Sequence, residues 1–353
     1  MYQKIIKPLL FKLPIDKAHT TTLWLLHLIG LLPYGHKLLR ASYRVDDPSL
    51  EREVFGRKFR NPIGLAAGFD CNGDVINEAA AIGFGFIEVG TITPEQQDGN
   101  PKPRIFRLTK DDAIVNRIGQ ANRGWQYAIE NLRKKHTDIV VGCNIGVGAN
   151  TNPKQAAQDY LKSFRTLYQY SDYFTVNLAS DNAALDTKSY TAESLAATLA
   201  PLFEFRRGQS EYRPIMVKIS PDVTYEVIDM VVKVLIDTPL DGIVAVAGTR
   251  SREELLTSQG SIVKIGAGRL SGRPLGKRAL EVVRYIHQKS GGAYPIIGVG
   301  GVMSPEDAKE MMKAGASLVQ LYSGFIYEGP SITKKICQSL IVKEEKGEKI
   351  DKK

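Results

Sequence analysis

An eight-stranded α/β barrel of the (β/α)8 or TIM type, with a helical appendage at its N-terminus, is the fold class this sequence predicts. Three observations predict it. Eight short apolar runs rich in Val and Ile recur at 62–68, 85–90, 139–146, 174–179, 215–219, 242–248, 295–300 and 317–322, as suits parallel strands buried on both faces. Segments with helix-period apolar positions lie at 74–82, 123–134, 154–170, 192–205, 224–236, 277–289 and 305–313, so strand and helix alternate. The chain has 353 residues, and such a barrel needs roughly 250, leaving about 100 for additions.

Individual elements carry their own signals. Ser304 and Pro305 place a cap and a first-position proline at the entry of the last of these helices. The stretch after the sixth run is glycine-rich and shows no helix before Lys277, which predicts a long loop at the strand ends where such barrels carry their chemistry. A division follows: 1–45 as the appendage, 46–340 as the barrel and 341–353 as a charged, disordered tail.

Composition narrows the function. An apolar content of 43% supports a large core. Cys71, Cys143 and Cys337 have neither metal-ligand nor disulfide-framework spacing, so no metal site and a reducing compartment are expected. The net charge of +9 comes without a basic recognition helix or stacking-aromatic motif, which argues against nucleic acid.

Within the appendage, Tyr2, Ile5, Ile6, Leu9, Leu10 and Phe11 share a helix face edged by Lys4, Lys7 and Lys12. The apolar run 23–32 is too short to cross a bilayer, and Pro33 and Gly35 break it. Two short helices joined by a turn are expected, resting either on a membrane interface or on the barrel. Taken alone, His19 reads as a solvated residue.

The seventh and eighth strand ends, Gly298-Val-Gly-Gly301 and Tyr322-Ser-Gly324, offer bare backbone N–H groups and a hydroxyl, as a phosphate requires. Lys218 lies inside the apolar fifth run, where a buried ammonium needs an anionic or electron-rich partner such as a flavin. Asn144 and Asn177 place amides at two further strand ends. Asn116, Asn122 and the turn 177–182 add polar groups that suit a small substrate.

Seven segments, taken in order, resemble the quinone-dependent (class 2) dihydroorotate dehydrogenases: Asn61-Pro-Ile-Gly-Leu-Ala-Ala-Gly68, Glu88-Val-Gly-Thr-Ile-Thr-Pro94, Lys102-Pro-Arg-Ile-Phe-Arg107, Asn116-Arg-Ile-Gly119, Leu270-Ser-Gly-Arg-Pro274, Ile297-Gly-Val-Gly-Gly301 and Leu318-Val-Gln-Leu-Tyr-Ser-Gly324. The resemblance implies FMN held by Ala67, Gly68, Thr91, Asn144, Asn177, Lys218, Gly272, Gly301, Tyr322 and Ser323. It implies that Ser180 deprotonates C5 of dihydroorotate while hydride leaves C6 for flavin N5. The substrate positions it marks are Cys71, Asn116, Arg117, Ile118, Gly119, Gln120, Asn177, Asn182, Ala247 and Gly248. His19 and Arg107 match residues of the family's quinone site, which favours the membrane-facing reading of the appendage over the solvated reading of His19. The resemblance thus implies a peripheral protein at the cytoplasmic face of a membrane, expected as a monomer.

Departures from the family gather at the substrate. Cys71 stands where the family has a substrate-holding lysine, and Val246-Ala-Gly248 stands where it has Thr-Asn-Thr. Gln120 replaces an aromatic residue, Asp181 a proline and Ala183 a threonine. Hydrogen bonds to charged groups contribute about 1.5–3 kcal/mol and neutral ones about 0.5–1.5, so these losses predict weaker substrate binding unless a relocated cation, such as Arg250 or Lys264, offsets them. Two other readings therefore stand beside dihydroorotate oxidation: a paralogue oxidising another small cyclic molecule, and a flavin-binding interaction protein without turnover.

Overall fold

The computed structural model describes residues 2–179 and 191–341. A π-helical turn, Tyr2–Ile6, runs into α1 (Lys7–Lys12), followed by α2 (Ile15–Leu31) and α3 (Gly35–Tyr43). The appendage therefore has one helix more than the two expected. Leu13 is extended ahead of Pro14, the conformation that proline imposes on its predecessor, and this ends α1. Leu23 and Leu26 of α2 pack on the main core, whereas Trp24, Leu25, Leu28 and Leu31 stay exposed.

A hairpin, β1 (Arg52–Val54) and β2 (Arg57–Phe59), leads into the barrel and plugs its lower end. Phe59 meets Phe86 edge-on at 5.3 Å, and Phe55 reaches Tyr173 at 5.5 Å. Next come β3 (Ile63–Leu65), α4 (Ile76–Ile82), β4 (Phe86–Ile92), β5 (Ile105–Leu108), β6 (Ala113–Asn116), α5 (Gly124–Leu132), β7 (Val140–Ile145) and α6 (Ala156–Leu167). They are followed by β8 (Tyr173–Asn177), α7 (Ala192–Arg207), β9 (Ile215–Ile219), α8 (Tyr225–Asp237), β10 (Gly242–Ala245), α9 (Gln259–Ile265) and β11 (Arg269–Gly272). The chain continues through α10 (Gly276–Lys289), β12 (Ile296–Val299), α11 (Pro305–Lys313), β13 (Leu318–Leu321), α12 (Ser323–Glu328) and α13 (Ser331–Leu340).

Eight parallel strands close in the order β3-β4-β7-β8-β9-β10-β12-β13. Alternation along each strand divides its side chains between two cores. Phe86, Val140, Tyr173, Met216, Val244, Ile297 and Leu318 cluster within the barrel. Ile87, Val141, Phe164, Leu199, Val217, Leu235, Val283 and Ile336 belong to the larger cluster between strands and helices.

The expected loop after the sixth barrel strand contains structure instead. It carries α9 and then β11, which pairs antiparallel with β6, and β6 pairs with β5. This three-stranded flap has a small core of its own, Leu108, Ala113, Val115 and Leu270. An isolated bridge, Thr249 to Leu270, ties it to the segment after β10. The flap also holds the appendage. Arg104 pairs with Asp16 at 3.3 Å, and the Arg107 guanidinium donates to the carbonyls of Leu10 (3.2 Å), Phe11 (3.1 Å) and Leu13 (3.0 Å) at the exposed end of α1. Among the described residues, no helix is long and apolar enough to cross a membrane.

Candidate active site

At the carboxyl ends of the barrel strands, beneath the flap, lies a cavity of about 400 Å³, a size that suits a cofactor or small ligand. All ten residues expected around a flavin line it: Ala67, Gly68, Thr91, Asn144, Asn177, Lys218, Gly272, Gly301, Tyr322 and Ser323. So do Cys71, Asn116, Ile118, Gly119, Gln120, Ala247 and Gly248. Ser180 and Asn182 lie outside the described residues, as does the tail beyond residue 341.

Arg117 is the exception among the described substrate positions. Its guanidinium donates to the carbonyls of Ile265, Ala267 and Pro103 and stacks over Phe106. The side chain therefore braces the flap rather than lining the cavity.

A hydrogen-bonded chain fixes the cavity floor. Glu88 on β4 is fully buried and accepts from Asn144 Nδ2 (2.8 Å), Gln320 Nε2 (2.9 Å), Thr175 Oγ1 (3.2 Å) and Tyr173 OH (3.3 Å). With its amide nitrogen held there, Asn144 presents Oδ1 to the Thr91 hydroxyl at 2.7 Å, and Thr91 accepts from Asn177 Nδ2 at 2.9 Å. Three strand ends are thereby locked to one buried carboxylate. Lys218 Nζ lies 4.0 Å from Glu88 Oε1; burial pushes its ammonium below the usual lysine range, and Glu88 opposes that shift.

The residues present fit a flavin mononucleotide. Gly300, Gly301, Ser323 and Gly324 line one end of the cavity, and Ser323 shares a 2.9 Å hydrogen bond with Ser271, so backbone and hydroxyl groups are available to a phosphate. The middle offers amides, the Lys218 cation and Gln320 Oε1, a buried acceptor without a partner. That mixture suits a planar ring bearing both N–H donors and oxygens. Burial, with help from Asp70 and Asp74, pushes the Cys71 thiol up to about 12, so it stays protonated at neutral pH and is unsuited to act as a base.

Sequence reasoning missed Arg269, Ser271, Gln320 and Asn100, all of which line the cavity. It also looked to Arg250 and Lys264 for a relocated cation; both are exposed and neither lines the cavity, whereas Arg269 does. The available signal was a basic residue directly ahead of Leu270-Ser-Gly-Arg-Pro274.

His19 is half-buried at the seam of appendage and barrel. Its Nε2 lies 2.8 Å from the Phe69 carbonyl, and its ring meets Phe69 edge-on at 5.4 Å. Burial pushes the imidazole below its usual 6.5. The unfolded chain therefore takes up this proton first on acidification, so the stability from His19 is present above pH 6.5 and is lost as pH falls through the folded value. Urea midpoints between about pH 7 and pH 5 should fall more steeply for the wild type than for His19→Gln; parallel slopes would show that this ring does not set the dependence.

Comparison with known proteins places this geometry in context. The family model for dihydroorotate dehydrogenase matches residues 49–343. The chain is 43% identical over 343 residues to a dihydroorotate dehydrogenase (quinone) of Christiangramia forsetii, covering 97% of this chain and 99% of that one. It is 42% identical to a protein of the same description from Chromobacterium violaceum, covering 94% and 95%. A crystal structure of DHODH from Eimeria tenella in complex with ferulenol superposes with a TM-score of 0.82 at 32% identity, covering 92% of this chain and 90% of that one.

Proposed function

The chain belongs to the dihydroorotate dehydrogenase family, and from that premise we infer that it oxidises dihydroorotate to orotate with a quinone as electron acceptor, the redox step of pyrimidine biosynthesis. The observation that carries this reading is the single cavity lined by every expected flavin contact and by Asn116 and Asn177. FMN, when bound, supplies the two-electron acceptor that takes hydride from the substrate and is later reoxidised by the quinone. Gly301 and Ser323 would hold its phosphate, while Asn144, Lys218 and Gln320 would face its ring.

The chain's own residues supply the remainder. Glu88 holds Asn144, and through Thr91 the Asn177 amide, in one orientation; pre-set groups of this kind need no reorganisation as charge moves. The Lys218 cation favours negative charge arriving beside it. Ser180 is the proposed base at C5, passing its proton onward because a lone hydroxyl is a weak base. Lys218 itself is buried in the cavity wall.

The appendage serves the second half of the cycle. Trp24 (58% exposed), Leu31 (67%) and Leu38 (67%) form an apolar outer side that suits a membrane interface, where the acceptor is dissolved. His19 lies at the seam between appendage and barrel, against Phe69. Arg107 is engaged by three carbonyls of the α1 end, so its contribution to a quinone path is to hold that helix in place. Peripheral association at the cytoplasmic face, as a monomer, completes the proposal.

Anaerobic addition of dihydroorotate should bleach the flavin absorbance, and a soluble quinone should restore it. Ser180→Ala should slow the bleaching by roughly 10²- to 10⁴-fold while leaving reoxidation unchanged. A flavin that stays oxidised at millimolar-scale dihydroorotate would refute the reading.

A further inference from the structure

Gln320 is the third strand-borne amide of the cavity floor, beside Asn144 and Asn177. It lies on β13 within the apolar stretch Leu318–Leu321, is 1% exposed and lines the cavity. A buried amide in an otherwise apolar strand is costly unless its donors and its acceptor are both met. The donor side is met: Nε2 donates to Glu88 Oε2 at 2.9 Å. That bond also settles which end of the amide faces which way, because a carboxylate only accepts. The oxygen is therefore the end left over, and Oε1 is buried without a hydrogen-bond partner among the described residues.

The oxygens of the other two amides are engaged. Asn144 Oδ1 accepts from the Thr91 hydroxyl at 2.7 Å, and Asn177 Oδ1 accepts from the Ala179 backbone N–H at 3.0 Å. Lys218 and Gln320 meet the same carboxylate at different oxygens: Lys218 Nζ lies 4.0 Å from Oε1, while Gln320 holds Oε2. Glu88 thus sets a cation and a fixed acceptor at one floor. A planar ligand that satisfies both must carry an electron-rich atom close to an N–H group. The pyrimidine edge of a flavin has that order, with the C2 oxygen next to N3–H. An oxidised flavin ring carries its only N–H at N3, so an acceptor that cannot turn is met by the oxidised ring at that atom alone.

We propose that Gln320 is a further cofactor-binding residue, its Oε1 accepting from N3–H of the flavin, with Glu88 fixing the amide in that sense. The proposal rests on the flavin-dependent reading above and gives Gln320 a defined bond within it. It implies discrimination among flavins. A ring methylated at N3 cannot donate, leaves Oε1 buried and unpaired, and sets a methyl group against it.

The test exchanges bound FMN for added 3-methyl-FMN on intact holoenzyme and measures the ratio of the two retained flavins by mass spectrometry, in wild type and in Gln320→Met. This ratio reads binding without turnover, and a general loosening of the site cancels from it. Wild type should favour FMN by a factor on the order of ten or more. Methionine is of similar length, has no comparable acceptor and can move aside for a methyl group, so the preference should fall to within about threefold. Retention of FMN itself should weaken on the order of tenfold in the variant. If the methionine protein does not fold, Gln320→Asn, which keeps the amide but draws it back from the ring, carries the same comparison and should also lose preference. An equal preference for FMN in wild type and variant, or none in wild type, would overturn the assignment of Gln320, because N3–H would then be met elsewhere, and would leave the flavin reading standing. A wild type that retains neither flavin would overturn both.

Discussion

Glu88→Gln is expected to lower the unfolding free energy by about 3–5 kcal/mol, the cost of breaking a buried charge pair from one side. Glu88 is fully buried and accepts from four side chains while lying 4.0 Å from Lys218. A glutamine in its place has one acceptor oxygen and turns N–H donors toward groups that are themselves donors, so at least one is left unsatisfied in a dry site. The larger effect falls on Lys218. Burial already pushes its ammonium below the usual range and Glu88 alone resists that shift; without the carboxylate the lysine is driven further toward its neutral form. Urea unfolding of Glu88→Gln, Lys218→Met and the double variant measures the coupling. The double variant should be less destabilised than the two losses added together. A Glu88→Gln protein within about 1 kcal/mol of wild type would mean that the carboxylate does not compensate Lys218.

Gly301→Val should yield protein that folds but retains little flavin, with FMN affinity reduced by roughly 100-fold or more. Gly301 has φ near +72°, and a Cβ there would stand 2.2 Å from Gly276 Cα and 2.5 Å from Gly276 N. Those atoms are backbone at the start of α10, so relief requires parting the turn after β12 from that helix. A β-branched residue is also the poorest choice for a left-handed conformation. The turn that moves lines the cavity. Gly260→Ala serves as the control, since a Cβ at Gly260 meets nothing within 4 Å. Full FMN content in the valine variant would place the phosphate elsewhere.

The barrel was readable because each of its strands is buried on both faces and therefore continuous in the sequence. The fifth run, 215–219, coincides with β9, and the others overlap β3, β4, β7, β8, β10, β12 and β13. The flap was not readable. Ile105–Leu108 and Arg269–Gly272 are short and gain their strand character from pairing with β6, a partner supplied by distant parts of the chain. The helix Gln259–Ile265 was hidden by the glycines around it. The residues expected around a flavin, all on the cavity wall, followed from strand ends and family resemblance together, whereas Arg269 became visible only through its register with Asn116 and its own place on that wall. Gln320 escaped notice because it sits within an apolar run and acquires meaning only from its buried bond to Glu88.

The flap gives the two walls of the cavity different structural support. Asn144, Asn177 and Lys218 are rooted in barrel strands, whose every position is packed against neighbours on both faces, while Asn116 and Arg269 project from a three-stranded insert with a separate small core. Substitutions in the flap can accumulate without repacking the barrel, so one wall of the cavity is free to drift while the other stays fixed.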